Sequence, residues 1–269
     1  MKYAVIGAWG YLGANLLNEL PSCGIARKSS AERRPFLKEA FNGKEMYLLN
    51  EIAEEELKDA LERCGADSVI YAIGKLRGNY DQMKEAHVDK ALLSLRVAKE
   101  LGLKSFVYVS SVLAMGIAEK CKDLNGVVTE EESHLEGCEP IGNFSITKAM
   151  GEAEIVRNSE GITVGIIRPA LIVGKWAYHP EWKYLNLAKS LGLPTPNLSA
   201  STINCIVQGI EVASTSGGWY LTVDGSLKEL GFRAFDVKVP LGLIKAAPDS
   251  LKPLLLALRY KYASRLLPC

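Results

Sequence analysis

The sequence predicts an α/β fold built on a doubly wound parallel sheet, with a short C-terminal lobe. Three observations carry that expectation. The apolar run Tyr3-Ala4-Val5-Ile6 leads directly into a glycine-rich turn, Gly7-Ala8-Trp9-Gly10-Tyr11-Leu12-Gly13. Apolar strand-like runs then alternate with helical patterns over the first 110 residues, the signature of repeated βα units. One of those runs, Asp67 to Ile73 (DSVIYAI), is apolar almost throughout, as a parallel strand covered on both faces requires.

The elements follow in order. After the turn, Leu12, Leu16, Leu17 and Leu20 share a helical face and Pro21 closes that helix. Cys23 to Ala26 reads as the second strand, residues 31 to 42 as helix, Lys44 to Leu49 as the third strand, and Ala53 to Cys64 as an acidic helix. The fourth strand ends at Gly74. One long helix is expected from Tyr80 to Leu101, with Val88, Leu92 and Leu95 on one face, then a fifth strand, Lys104 to Ser110. Residues 117 to 142 are polar, and the cluster Glu130-Glu131-Glu132 reads as a solvated loop. A helix from Asn143 to Asn158 and a sixth strand, Thr163 to Ile167, lead to Arg168-Pro169. A dinucleotide-binding domain over 1–174 and a C-terminal substrate or docking lobe over 175–269 are expected. Within that lobe Trp176, Tyr178, Trp182 and Tyr184 are concentrated, 202 to 215 reads as helix, and Trp219 to Val223 as a short strand.

Composition narrows the function. With 269 residues, 48% of them hydrophobic, the chain buries a large core. Its 32 basic and 31 acidic residues leave a net charge of +1, which gives no global field for nucleic acid. No apolar run reaches the ~20 residues that span a bilayer. The first strand begins at once, so no leader segment is expected and the location is read as cytoplasmic. The six cysteines are scattered without metal-ligand spacing; no metal site is expected, and reduced structural thiols are the reading, a disulfide of the thermophile kind being the exception. Lys238, Lys245, Lys252, Arg259, Lys261 and Arg265 make the C-terminal end basic, a weak case for peripheral docking on a membrane or a protein.

A strand, a glycine turn and a helix N-terminus together favour a phosphate, because backbone N–H groups and the helix dipole converge there. In a sheet of this kind three further fragments meet the same crevice: Ser110-Ser111, the stretch Phe144 to Lys148, and Arg168-Pro169. By these fragments the chain resembles the extended short-chain dehydrogenase/reductase family, the NAD(P)-dependent epimerase/dehydratase-like branch, over residues 2 to 174. The resemblance lies in G-x-x-G-x-x-G, VYVSSVLAMG, PIGNFSITKAMGEAEI and IIRPALIVG.

The resemblance implies a Rossmann fold, a homodimer through the helices at 80–101 and 143–158, and a dinucleotide held by Gly7, Trp9, Gly10, Tyr11, Leu12, Gly13, Arg27, Lys28, Asn50, Glu51, Ala72, Ile73, Gly74, Lys148, Pro169 and Ile172. At the end of the second strand stand two bases, Arg27 and Lys28, and no acid, which favours NADP and its 2′-phosphate over NAD. The implied catalytic pair is Ser111 and Lys148, and Ser111, Trp176 and Tyr178 are the implied substrate contacts. His87 falls where the family often has asparagine, and neither it nor His134 is given a role.

One position departs from the family. Four residues before Lys148, where a tyrosine moves a proton to or from the substrate oxygen, this chain has Phe144. A positioned general acid contributes ~10²–10⁴-fold to rate, so the usual route is slowed. Ser111 or Lys148 acting directly, a water between them, or Tyr178 are the substitutes left open. Two functions follow: an oxidoreductase or sugar-nucleotide epimerase/dehydratase-like enzyme, or a dinucleotide-binding sensor or accessory subunit with little turnover.

Overall fold

The computed structural model describes residues 1–130, 138–267 and 269. Seven parallel strands form one sheet: β1 (Tyr3–Ile6), β2 (Ser22–Arg27), β3 (Met46–Leu49), β4 (Ser68–Tyr71), β5 (Ser105–Val109), β6 (Thr163–Pro169) and β7 (Gly218–Thr222), in the order β7-β6-β5-β4-β1-β2-β3. The order reverses between β1 and β4, so the crevice at their carboxyl ends is where a ligand seats in an open α/β sheet.

The helices cover both faces. They are α1 (Tyr11–Glu19), α2 (Lys28–Arg33), α3 (Glu54–Cys64), α4 (Tyr80–Lys84), α5 (Lys90–Glu100), α6 (Gly142–Arg157), α7 (Pro180–Leu191), α8 (Ile203–Ser216), α9 (Leu241–Ala246) and α10 (Lys252–Arg259). Their local signals are readable. In α3, Glu54, Glu55 and Glu56 occupy the first turn and Arg63 the last, opposing the helix dipole, and Gly65 closes it in the left-handed conformation. Leu57, Ala60, Leu61 and Cys64 form its buried stripe. One apolar cluster joins α3 and α5 to Tyr71, Phe106 and Tyr108; the other joins Leu12, Leu16 and Leu17 of α1 to Ile206 and Ile210 of α8.

Several expectations are corrected. The helix expected over 31–42 is split: α2 ends at Arg33, and Pro35–Phe41 is a 3₁₀ helix, its first residue being the proline that cannot continue α2. The helix expected from Tyr80 to Leu101 is interrupted by a π-helical turn, Glu85–Asp89. The Tyr71 hydroxyl donates to the Ala86 carbonyl at 2.6 Å and the Tyr108 hydroxyl to the His87 carbonyl at 2.9 Å, so the sheet below serves carbonyls at this turn. Gly151 of α6 faces the same turn. A methyl group there would stand 2.4 Å from the His87 carbonyl oxygen, so only glycine allows α6 this close.

Glu130 is not solvated. It is fully buried and accepts from the Leu221 N–H at 3.1 Å, the Ser264 hydroxyl at 2.6 Å and the Arg265 N–H at 2.8 Å, clasping the C-terminal end to β7. Val127–Val128 pairs with Lys261–Tyr262 beside it. Glu131, Glu132 and His134 lie outside the described residues.

The cysteines are not free: Cys23 is bonded to Cys64, Cys121 to Cys138 and Cys205 to Cys269. Sequence spacing hides these pairs because each joins residues brought together only by the folded chain, as β2 meets the end of α3.

Within 175–269, residues 203 to 222 return to the main sheet as α8 and β7. The remainder builds small sheets, among them Ser199–Thr202 between Leu171–Val173 and Gly225–Ser226, and Thr195–Pro196 beside Ala234–Phe235. Among the described residues, no helix is long and apolar enough to cross a membrane.

Candidate functional site

The crevice is floored by the glycine turn. Gly7 has φ +95°, open to glycine at little cost, and a Cβ there would press on Ala72 and Ile73 at 3.0 Å. A Cβ on Gly13 would stand 2.4 Å from the Gly7 carbonyl oxygen. The turn therefore folds back on itself and lies against the end of β4, placing Ala72-Ile73-Gly74 along one wall. Helix α1 starts at Gly10 with no side-chain cap. The first N–H groups of a helix lack intrahelical partners, so those of Tyr11, Leu12 and Gly13 face a site suited to an anion. Unpaired N–H groups of this kind suit the oxygens of a pyrophosphate, and Cβ atoms at 7 and 13 would force the turn out of the shape that presents them.

Two residues of the turn spend their side chains on the protein. Trp9 is buried, donates from Nε1 to the Arg34 carbonyl at 2.9 Å and packs at a tilt against Phe41, ring centroids 4.4 Å apart. Tyr11 is buried and donates to the carbonyls of Ile172 and Gly174 at 3.0 and 3.3 Å; burial pushes its phenol up to about 12. What both offer a ligand is backbone.

At the adjacent strand ends, Arg27 meets Glu51 at 3.6 Å and Lys28 donates to Asn50 Oδ1 at 2.9 Å. All four expected adenosine-side residues are thus together at the ends of β2 and β3. Exposed pairs of this kind hold weakly, ~0–1 kcal/mol, and are released at little cost.

On the other side of the crevice, β5 ends in Ser110-Ser111. Ser110 Oγ is buried with no partner among the described residues. Ser111 Oγ accepts from the Leu113 N–H at 3.2 Å and lies 3.5 Å from the Pro169 carbonyl. Lys148, on α6, is buried. Its ammonium donates to the Val109 carbonyl at 2.8 Å and sits 4.9 Å from the centroid of the Tyr108 ring. Burial lowers its pKa to about 7, against a smaller opposing pull from Glu152. The lysine thus lies beneath the strand that carries Ser111.

Arg168 is not free to close over a ligand. It is buried and clamps Glu152 of α6, Nε to Oε1 at 2.9 Å and Nη2 to Oε2 at 2.6 Å, so it ties β6 to α6 from within. Pro169 is the last residue of β6, and Ile172 gives its carbonyl to Tyr11.

His87 is the residue that sequence reasoning left without a role. It sits on the π-helical turn, fully buried. Its Nε2 accepts from the Lys75 N–H at 3.0 Å; Nδ1, the protonated nitrogen of that tautomer, donates to Thr147 Oγ1 at 2.8 Å, and Thr147 donates to the Asn143 carbonyl at 2.7 Å. Burial, with a push from Lys148, lowers its pKa to about 2. His87 therefore remains neutral and pins the loop after β4 to α6, with the Phe144 ring edge-on to it at 5.4 Å.

The aromatic segment divides. Trp182 is buried with Tyr11, Leu227 and Phe232, and Tyr184 is exposed. Trp176, at φ +64°, and Tyr178 pack partly buried against the α1 side of the sheet. Tyr178 is held by Phe36 at 5.8 Å and Arg34 at 5.1 Å. Among the described residues, none of these contacts brings Trp176 or Tyr178 to Ser111.

Comparison with known proteins follows the same outline. The model of the NAD dependent epimerase/dehydratase family matches residues 3–187. Sterol demethylase protein B of Methylococcus capsulatus is 26% identical over 195 residues, 67% of this chain and 54% of that protein. A 4-hydroxy-2-methyl-3-oxo-4-farnesyl-3,4-dihydroquinoline-1-oxide ketoreductase of Stigmatella aurantiaca is 24% identical over 176 residues, 65% of this chain and 51% of that protein. The chain thus spans about half the length of these curated relatives. The Bordetella bronchiseptica enzyme WbmG, solved with NAD and UDP, shares the fold at a TM-score of 0.68 and 13% identity, over 97% of this chain and 84% of its own.

Proposed function

This chain belongs to the NAD dependent epimerase/dehydratase family, and from that membership we propose that it binds a nicotinamide dinucleotide and acts as an oxidoreductase on a carbon–oxygen centre of an apolar substrate. The observation that carries the reading is the convergence of the glycine cradle, Ser111 and buried Lys148 at the carboxyl edge of one parallel sheet. An apolar substrate is favoured by the two relatives, whose names refer to a sterol and a farnesyl-bearing ketone.

The N–H groups of Tyr11, Leu12 and Gly13 would hold the pyrophosphate, Asn50 and Glu51 the adenosine end, and Ala72 to Gly74 with Pro169 and Ile172 the walls. We favour NADP, with Arg27 and Lys28 released from their pairs onto the 2′-phosphate; Glu51 beside Arg27 is the acid that would serve NAD instead. When bound, the dinucleotide supplies or accepts the hydride. Ser111 orients the substrate oxygen through a hydrogen bond. Phe144 has no proton to move, and Tyr178 is engaged elsewhere. Lys148 is the group left in place: as the ammonium it gives a proton to the oxygen in reduction, and as the amine it takes one in oxidation. A pKa near the working pH suits that exchange.

The test is twofold. A native mass spectrum of the purified protein identifies the dinucleotide that copurifies. NADPH oxidation is then followed over a panel of hydrophobic ketones, with Lys148→Met expected to lower kcat by about 100-fold or more and to remove an ionisation near 7 from the pH profile. Turnover that survives Lys148→Met unchanged would remove lysine from the mechanism.

A second reading rests on Phe144 and the neutral, fully bonded His87: a protein that holds the dinucleotide without turning it over, as a sensor or accessory subunit. NADPH binding with no oxidation over the whole panel favours it. A homodimer through α4, α5 and α6 accompanies both readings, supported by exposed Tyr80 and Ile146 on those helices. Sedimentation in solution tests it.

A further inference from the structure

We propose that the face formed by α7 and the neighbouring two-stranded ribbon is a docking surface for an anionic lipid bilayer. The observation is an apolar stripe left exposed among the described residues. On α7, Tyr184 is 55% exposed, Leu187 56% and Leu191 63%, and Leu193 just beyond is 47% exposed. Spacings of three and four place the helical three on one side of α7, while Trp182, Leu185 and Ala188 face inward. The ribbon continues the stripe. Thr195 and Pro196 pair with Ala234 and Phe235, and Phe235 is 49% exposed.

Charge selects the occupant. Lys183, Lys189 and Arg233 are exposed around the stripe. Of the acids nearest to it, Glu181 is paired with Arg77 and Asp236 with Lys261 at 3.0 Å, which leaves the charge of Glu229, bonded to the Ser226 hydroxyl at 2.9 Å, against three cations. The same bias runs through the region. Residues 175–269 hold eleven Lys and Arg against six Asp and Glu, in a chain whose net charge is only +1. A second copy of this face would set Lys183, Lys189 and Arg233 near their own equivalents across a two-fold axis, whereas an anionic headgroup layer satisfies them. An amphipathic helix lying in the interface buries its apolar side chains at the acyl boundary and keeps flanking lysines among the headgroups. Exposed Leu243 on α9, and Leu251 and Leu254 at the start of α10, are too scattered to form such a stripe.

Docking there would also place the crevice rim at the membrane, because Glu181 at the start of α7 is paired with Arg77 in the loop after β4. The docking itself does not rest on the proposed chemistry.

The test is cosedimentation of the full chain with vesicles of phosphatidylcholine alone and with about one third phosphatidylglycerol. Partition into the anionic vesicles is expected to be at least about ten-fold stronger and to weaken with salt. Leu187→Ser with Leu191→Ser should lower it by about ten-fold or more, and Lys183→Glu should lower it too, with unfolding midpoints unchanged. Leu48→Ser, on β3, is the control and should leave it as it was. The proposal is overturned if no vesicle binds, if the double variant binds as wild type does, or if that variant instead splits an oligomer in sedimentation velocity, which would make a second copy the occupant.

Discussion

The ring of Phe144 meets the imidazole of His87 edge-on, their planes at 89° and their centroids 5.4 Å apart. The apolar ring thus packs directly against a buried imidazole that stays neutral near pH 7. Phe144→Tyr adds a phenol in the position from which the family moves a proton. Dinucleotide-dependent turnover should rise by about 10²–10⁴-fold, read as the initial rate of NADPH oxidation. An unchanged rate would show that the proton step, carried by Lys148, does not limit turnover.

Lys148 gives a stability signature with a definite sign. Its pKa falls from 10.5 to about 7 on folding because its ammonium is buried. From about 7 to 10.5 the unfolded chain holds the extra proton, so stability rises with pH there, by up to about 1.4 kcal/mol per unit, and below about 7 the deficit is constant. Lys148→Met should abolish that slope and raise the unfolding free energy at neutral pH. Denaturant titrations of both proteins across that window measure it.

His87 acts on the acid side. Its pKa falls from 6.5 to about 2, so the neutral ring contributes stability that is present above about 6.5 and is lost as pH drops. His87→Ala should flatten the acid limb of the stability curve. It should also cost about 1–3 kcal/mol at pH 7, since the Lys75 N–H and Thr147 lose their partner. Hydrogen exchange at Lys75 should speed up markedly in the variant.

Gly13→Ala forces a methyl group to 2.4 Å from the Gly7 carbonyl oxygen. The turn must open, and dinucleotide affinity should drop by at least about ten-fold with a lower Tm. Fluorescence titration with NADPH and a thermal melt check both.

Arg27→Ala should weaken NADPH far more than NADH if a 2′-phosphate is held there, since the residue's ion pair, with exposed Glu51 at 3.6 Å, is a weak one. Equal loss for the two would remove the NADP preference.

The sheet was legible because its strands carry their own signals: DSVIYAI is apolar from Val69 onward, and the glycine turn announces the first βα unit. Ser111 and Lys148 were found by their motifs, and the structure places them at the end of β5 and on α6. What was hidden depends on long-range partners. Glu130 reads as one of three solvated acids, yet two backbone N–H groups and a hydroxyl from 91 to 135 residues away make it a buried clasp. Arg168 stands beside a proline at a strand exit, and nothing local tells that Glu152 turns it inward. His87 has no periodicity of its own to announce a π turn, because the tyrosines that serve the neighbouring carbonyls come from β4 and β5.

The three cysteine pairs follow one another along the chain, 23 with 64, 121 with 138 and 205 with 269, so that none encloses or interlocks another. As a covalent graph the oxidised molecule is a string of three separate rings. A single backbone cut inside any ring leaves one covalent molecule, whereas a cut at 65–120 or 139–204 yields two pieces held by packing alone. No later segment has to be passed through a closed ring, and opening one bridge leaves the connectivity of the other two untouched.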